Sequence, residues 1–98
     1  MFDIERIEKM EQKMNHASKA INALDSALSG YADALEDIKD LAQYLSSDGW
    51  KEDFAADERG ALPADLKRGV LSEDGLYNLL EENGNLLDIM KEILGNMN

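Results

Sequence analysis

The chain has 98 residues, and its 44% hydrophobic content is that of a folded protein of one-domain size rather than a disordered segment. It carries 21 acidic against 10 basic residues and a formal net charge of −11, which disfavours binding to nucleic acids and to anionic membranes. Because there is no cysteine and only one histidine, His16, the composition excludes disulfide frameworks, thiolate metal sites and Cys-His catalysis.

The first predicted element is a long helix over residues 3–46. A glycine inside it, Gly30, costs about 1 kcal/mol relative to alanine, which is less than the burial of several apolar residues contributes. We therefore predict one continuous helix, with a hairpin turn at Gly30 as the alternative. Apolar residues recur along it at alternating steps of three and four, which is the heptad pattern of helices that pack together: Ile7, Met10, Met14, Ala17, Ile21, Leu24, Leu28, Tyr31, Leu35, Ile38, Ala42 and Leu45.

Residues 47–71 are predicted to be irregular, with short helical turns. Gly49 is suited to a left-handed cap that ends the first helix, and Trp50–Glu58 can form a short helix. A single turn is expected to open at Pro63 and to close at Gly69. This segment should pack on the helices through its own apolar side chains: Trp50, Phe54, Leu62, Leu66, Val70 and Leu71.

A second long helix is predicted over residues 72–95. Ser72 is a good N-cap, and Glu73 and Asp74 place negative charge in the first turn, where the helix dipole favours it. The apolar residues on either side of the cap are expected to form a hydrophobic staple: Leu71 and Leu76.

Together these elements predict an all-α protein, a single helical domain over residues 1–98. A long N-terminal heptad helix should pack against the C-terminal helix, with the irregular segment between them. No apolar run approaches the roughly 18 residues that span a bilayer, and Met1–Arg6 lacks the layout of a secretory signal. We therefore expect a cytoplasmic protein without a membrane partner.

Four residues are candidates for contact with a partner: Lys67, Arg68, Trp50 and Tyr77. The pair Lys67-Arg68 lies just upstream of a predicted helix N-terminus, where anions bind well. Ion pairs with neighbouring acids of the same chain are the alternative. Trp50 could likewise anchor a partner, or it could fill the core together with Phe54 at helical i, i+4 spacing.

The sequence offers no enzyme site. Carboxylate pairs act in acid–base catalysis only in a dry cleft that shifts their pKa. The many acidic residues of this chain are explained more simply as the solvated faces of its helices. The acidic middle segment fails the spacing of a helix–loop–helix calcium site from Asp48, Asp53 or Asp57. We expect no catalytic residue, no cofactor and no metal.

The stretch Leu62–Asn83, which contains L-K-R-G-V-L-S-E-D-G-L-Y, resembles a bacterial family known only as domain of unknown function 4298. The opening Ile4–Ile7 and the segment from Trp50 through Asp53 to Glu58 resemble it as well. The resemblance implies a bacterial, all-helical protein and brings no catalytic residues.

A second likeness is to small secreted helical-hairpin proteins with a Trp-x-Gly turn. In this chain the turn residues stand in the reverse order, Gly49-Trp50. The segment Tyr77–Glu81 is similar to that family's Tyr-x-x-x-acid export signal, but it lies at the start of a helix.

We expect a non-enzymatic protein–protein interaction or regulatory module. The heptad helix is about 60 Å long, and the rest of the chain is too short to cover all of its apolar surface. We therefore expect it to self-associate as a homodimer or to bind an unknown protein partner. One alternative is an acidic mimic that blocks a basic nucleic-acid-binding surface through Glu36, Asp37 and Asp40. The secreted hairpin protein is the other.

Overall fold

A computed structural model describes residues 2–72 and 74–97. They form three α-helices and one 3-10 turn, with no strand in the described ranges. This confirms an all-α fold with a long N-terminal helix and a C-terminal helix. In chain order the elements are α1 Ile4–Leu45, α2 Asp48–Glu58, the 3-10 turn Gly69–Leu71, and α3 Gly75–Asn96.

Helix α1 runs through Gly30 without a break, which confirms the continuous helix and makes the hairpin alternative wrong. A Cβ added at Gly30 would meet nothing within 4 Å, so no close approach interrupts the helix there. The chain divides into two compact units, Met1–Leu35 and Glu36–Asn98, and the boundary between them falls within α1. The first unit consists mainly of the helix itself, and no described residue of α1 is buried.

Two serines end α1 and begin α2. The Ser46 hydroxyl donates to the carbonyls of Ala42 and Gln43 at 3.2 Å, and the Ser47 hydroxyl donates to the carbonyl of Tyr44 at 2.6 Å. These bonds satisfy carbonyls that the end of a helix leaves without partners. The same Ser47 hydroxyl accepts from the backbone N–H of Trp50 at 3.2 Å and so caps α2.

This arrangement corrects the prediction of a left-handed cap at Gly49. Because Ser47 is the N-cap, Gly49 lies within the first turn of α2. The glycine with a left-handed conformation is Gly60, whose φ of 72° follows the end of α2. Bonds from Gly60 N–H to the Asp57 carbonyl and from Ala61 N–H to the Ala56 carbonyl complete a Schellman motif there.

The predicted turn at Pro63 is present, but it is shorter than expected. The N–H of Leu66 donates to the Pro63 carbonyl at 3.2 Å, and the turn closes there. Gly69 instead begins the 3-10 turn. Of the apolar residues expected to pack in this segment, Leu71 is buried, whereas Leu66 and Val70 remain exposed.

Helix α3 begins at Gly75, three residues after the predicted start. Ser72 nevertheless acts as a cap, because its backbone is extended and its hydroxyl accepts from the Gly75 N–H at 3.1 Å. Asp74 contributes no side-chain cap bond, and Glu73 lies outside the described residues. The two staple residues are the buried residues of the described chain, with 5% and 4% exposure: Leu71 and Leu76.

Candidate functional site

Trp50 connects α2 to the 3-10 turn. Its indole N–H donates to the Val70 carbonyl at 2.9 Å, across 20 residues of sequence. The indole also stacks on Phe54, with 5.0 Å between ring centroids and 18° between ring planes. Both aromatic residues are half-buried. The contacts of Trp50 are therefore those of a packed residue that holds the segment before α3 in place.

The two basic residues, Lys67 and Arg68, lie in different environments. The Arg68 guanidinium lies 2.6 Å from an Asp57 carboxylate oxygen, and this ion pair joins the segment before the 3-10 turn to α2. Its side chains are 41% and 25% exposed, so it is only partly screened by water. Lys67 forms no ion pair with any residue in the described ranges. The expectation of internal ion pairs therefore holds for Arg68 and not for Lys67.

A tyrosine–carboxylate bond that the sequence did not indicate joins α1 to α2. The Tyr44 hydroxyl donates to an Asp53 carboxylate oxygen at 2.6 Å. This bond, together with partial burial and the negative charge of Asp53, raises the pKa of Tyr44 to about 12. The two residues are nine positions apart, and only the turn at Ser46–Ser47 brings them together.

Tyr77, the fourth candidate contact residue, lies in the first turn of α3 and is 61% exposed. Its ring is accessible to a partner. The structure therefore separates the four candidates by exposure and pairing: Trp50 and Arg68 bond within the chain, whereas Tyr77 is largely exposed and Lys67 has no ion pair in the described ranges.

An open cleft of about 380 Å³ lies in the second unit, beside the start of α3. It is mostly apolar, and we call it the Lys67 cleft. Its volume suits one or two apolar side chains, with a single ammonium group to orient them. Among the described residues, none that lines the cleft carries a carboxylate or an imidazole for acid–base chemistry. Its lining residues are Leu41, Lys67, Gly69, Val70, Gly75, Leu76 and Leu79.

The first unit presents a row of exposed apolar side chains, which we call the N-terminal stripe. Each member stands at position a or d of the heptad pattern and is between 44% and 65% exposed. Exposed apolar surface of this extent is uncommon on a monomeric soluble protein. The members are Ile7, Met10, Met14, Ile21, Leu24 and Leu28.

Residues 2–72 and 74–97 contain neither a candidate metal cluster nor a candidate membrane span. No group of three or more His, Asp or Glu residues there could hold a metal ion. None of the helices in these ranges combines the length and apolarity needed to cross a membrane.

The chain is thus a small all-α protein whose most evident surface features are an apolar stripe and an apolar cleft. The family model described as Domain of unknown function (DUF4298) matches residues 7–93, and the chain belongs to this family. The resemblance expected from the sequence is confirmed. No curated protein and no solved structure matches the chain.

The likeness to secreted helical hairpins rests on residues that the structure arranges differently. Gly49 and Trp50 lie inside α2 and not in a turn between two long helices. Tyr77 and Glu81 lie within α3. Neither feature has the placement on which that likeness depends.

Proposed function

We propose that this protein is a non-enzymatic interaction or regulatory module that self-associates as a homodimer through the N-terminal stripe. One observation carries the proposal. All six large apolar residues of the stripe are substantially exposed in the single chain, although their spacing is that of a buried heptad.

The energetics of the stripe favour a partner. Full burial of a leucine, isoleucine or methionine side chain stabilises by about 1.5–3 kcal/mol, so covering the exposed half of one contributes about 1 kcal/mol. A single helix cannot bury its own stripe, because side chains on one face of a helix do not cover each other. A second copy presents the same alternating three-and-four spacing and can interdigitate with the first.

A pair of matched variants tests the role of the stripe. Leu24→Asp places a carboxylate in the stripe and should shift the protein from dimer to monomer in sedimentation velocity. Ser26→Asp introduces the same group two residues away, outside the a and d positions, and should leave the dimer intact. The proposal would be contradicted if both variants sediment as dimers or both as monomers.

The acidic mimic is a second candidate, which one observation favours. Glu36, Asp37 and Asp40 are all exposed on α1, and their helical spacing puts them on neighbouring positions of one face. Glu36 is paired with Lys39 at 3.5 Å, but both side chains are at least 66% exposed, so the pair neutralises this face weakly.

The test of the mimic is binding to a basic nucleic-acid-binding protein at increasing salt. The mimic requires binding that weakens with salt and that is lost in the variant E36Q/D37N/D40N. Binding that is indifferent to this triple change would exclude it.

A further inference from the structure

We propose that two copies of this chain pair in parallel and in register along the N-terminal stripe, with Arg6 of each copy facing Glu11 of the other. This inference rests on the proposed self-association and specifies its geometry. It is argued from the residues at the heptad positions in and beside the stripe, all of which lie in the first unit.

Three of the six stripe residues are of the types that favour two strands in a parallel coiled coil. Ile7 and Ile21 stand at a and Leu24 stands at d, while Met14 and Leu28 occupy the other a positions and Met10 the other d position of the stripe. In parallel coiled coils, a β-branched residue at a and leucine at d favour dimers over higher oligomers. All three side chains are more than half exposed and can enter such an interface.

The charges beside the stripe determine the orientation. Over residues 4–28 the charged g positions are both basic, Arg6 and Lys13, and the charged e positions are both acidic, Glu11 and Asp25. All four residues are exposed, and none forms an ion pair with another described residue. Their side chains are therefore accessible to a second copy.

A parallel pair brings each g position beside the e position of the next heptad in the partner. Arg6 then faces Glu11 of the other copy, and symmetry makes this attractive contact twice. Lys13 and Asp25 meet uncharged residues, Ser18 and Ala20. No like charges meet between residues 4 and 28 in this register.

An antiparallel pair brings g beside g and e beside e. Between residues 4 and 28, no such contact joins a basic residue to an acidic one. No register of that orientation forms an attractive charge pair within the stripe. Charges at e and g specify partner orientation in coiled coils, and here they favour the parallel one.

Single-cysteine variants report this geometry directly, because the chain has no cysteine of its own. In a parallel in-register pair, residue 10 of one copy lies opposite residue 10 of the other, and residue 24 opposite residue 24. Full-length Met10→Cys and Leu24→Cys should each form a disulfide-linked dimer under mild oxidation. Gln12→Cys, on the outer f position, is the control and should remain uncross-linked.

Charge exchange gives a second readout. Arg6→Glu and Glu11→Arg should each raise the dimer dissociation constant by roughly tenfold, because each creates two like-charge contacts. The double variant R6E/E11R should restore the affinity of the natural chain. Lys9→Glu, at the outer c position, reverses a charge that faces no partner and should leave the constant nearly unchanged.

The outcomes separate this inference from the proposed function. Cross-linking at residues 10 and 24 but not at 12, with restored affinity in the double variant, supports the parallel pair. A dimer in solution that cross-links at neither residue 10 nor residue 24 overturns the parallel geometry and leaves self-association standing. A chain that stays monomeric at every concentration overturns both.

Discussion

The hydroxyl of Ser72 occupies the space that a side chain at Gly75 would need. It accepts the Gly75 N–H at 3.1 Å and donates to the Gly69 carbonyl at 2.9 Å, so it links the 3-10 turn to the start of α3. A Cβ at residue 75 would lie less than 3.0 Å from this oxygen and 3.1 Å from the Gly69 carbonyl. A side chain at position 75 would therefore displace the Ser72 hydroxyl and crowd the Gly69 carbonyl.

Gly75→Ala should destabilise the protein. The added methyl group must displace the Ser72 hydroxyl, and loss of a cap bond costs about 1 kcal/mol. Gly84→Ala is the matched control in the same helix, because its Cβ would meet nothing within 4 Å. There alanine should stabilise by about 0.5–1 kcal/mol. Chemical denaturation measures both, and a stabilised Gly75→Ala variant would contradict the close approach.

The ion pair between Arg68 and Asp57 should contribute measurably to stability. Arg68→Ala and Asp57→Ala should each cost about 0.5–1 kcal/mol, and the double variant should cost less than their sum. Lys67→Ala is the control, since Lys67 forms no ion pair with the described residues. If Lys67→Ala lowers the free energy of unfolding as much as Arg68→Ala does, the ion pair does not account for the effect of Arg68.

The bond between Tyr44 and Asp53 predicts a stability change in alkali. Tyrosine titrates near pH 10 in the unfolded chain, and the pKa of Tyr44 in the folded chain is about 12. The folded state therefore favours the neutral phenol, so its stabilisation is complete below pH 10 and is lost as pH rises through 12. Asp53→Ala should bring the pKa of Tyr44 back toward 10, measured by phenolate absorbance.

Tyr44→Phe serves as the control for that alkaline effect. It should remove the part of the stability loss between pH 10 and 12 that belongs to this residue, while other groups continue to titrate. An alkaline stability profile identical in Tyr44→Phe and the natural chain would contradict the bond.

Trp50→Phe separates the hydrogen bond of the indole from its stacking. Phenylalanine can still stack on Phe54 but has no N–H to donate to the Val70 carbonyl. The expected cost is about 1 kcal/mol, because the carbonyl loses its donor. Trp50→Ala loses the ring contact as well and should cost more. Equal stability of Trp50→Phe and the natural chain in denaturant would show that the bond contributes nothing.

The sequence predicts the helices well because their signals are local. The apolar repeat continues in phase on both sides of Gly30, which is why the continuous α1 could be foreseen. The residue type of Ser72 and the apolar residues around it predict the cap. These features depend only on neighbours along the chain.

The side-chain contacts between elements depend instead on residues that are distant in sequence. Lys67 and Arg68 are adjacent in sequence, and only the position of α2 decides that Arg68 meets Asp57. The role of Gly75 depends on where the Ser72 hydroxyl points. Glycine after a helix is typical of a C-cap, which is why the sequence predicts a helix end at Gly49; the Ser47 hydroxyl instead accepts from the Trp50 N–H and starts α2 there.

The molar mass of the full chain at sedimentation equilibrium, measured over a range of concentrations, tests self-association most directly. Because the N-terminal stripe is exposed in one copy, the mass should approach twice the chain mass of 10.9 kDa as concentration rises. A mass of 10.9 kDa at every concentration would contradict the homodimer.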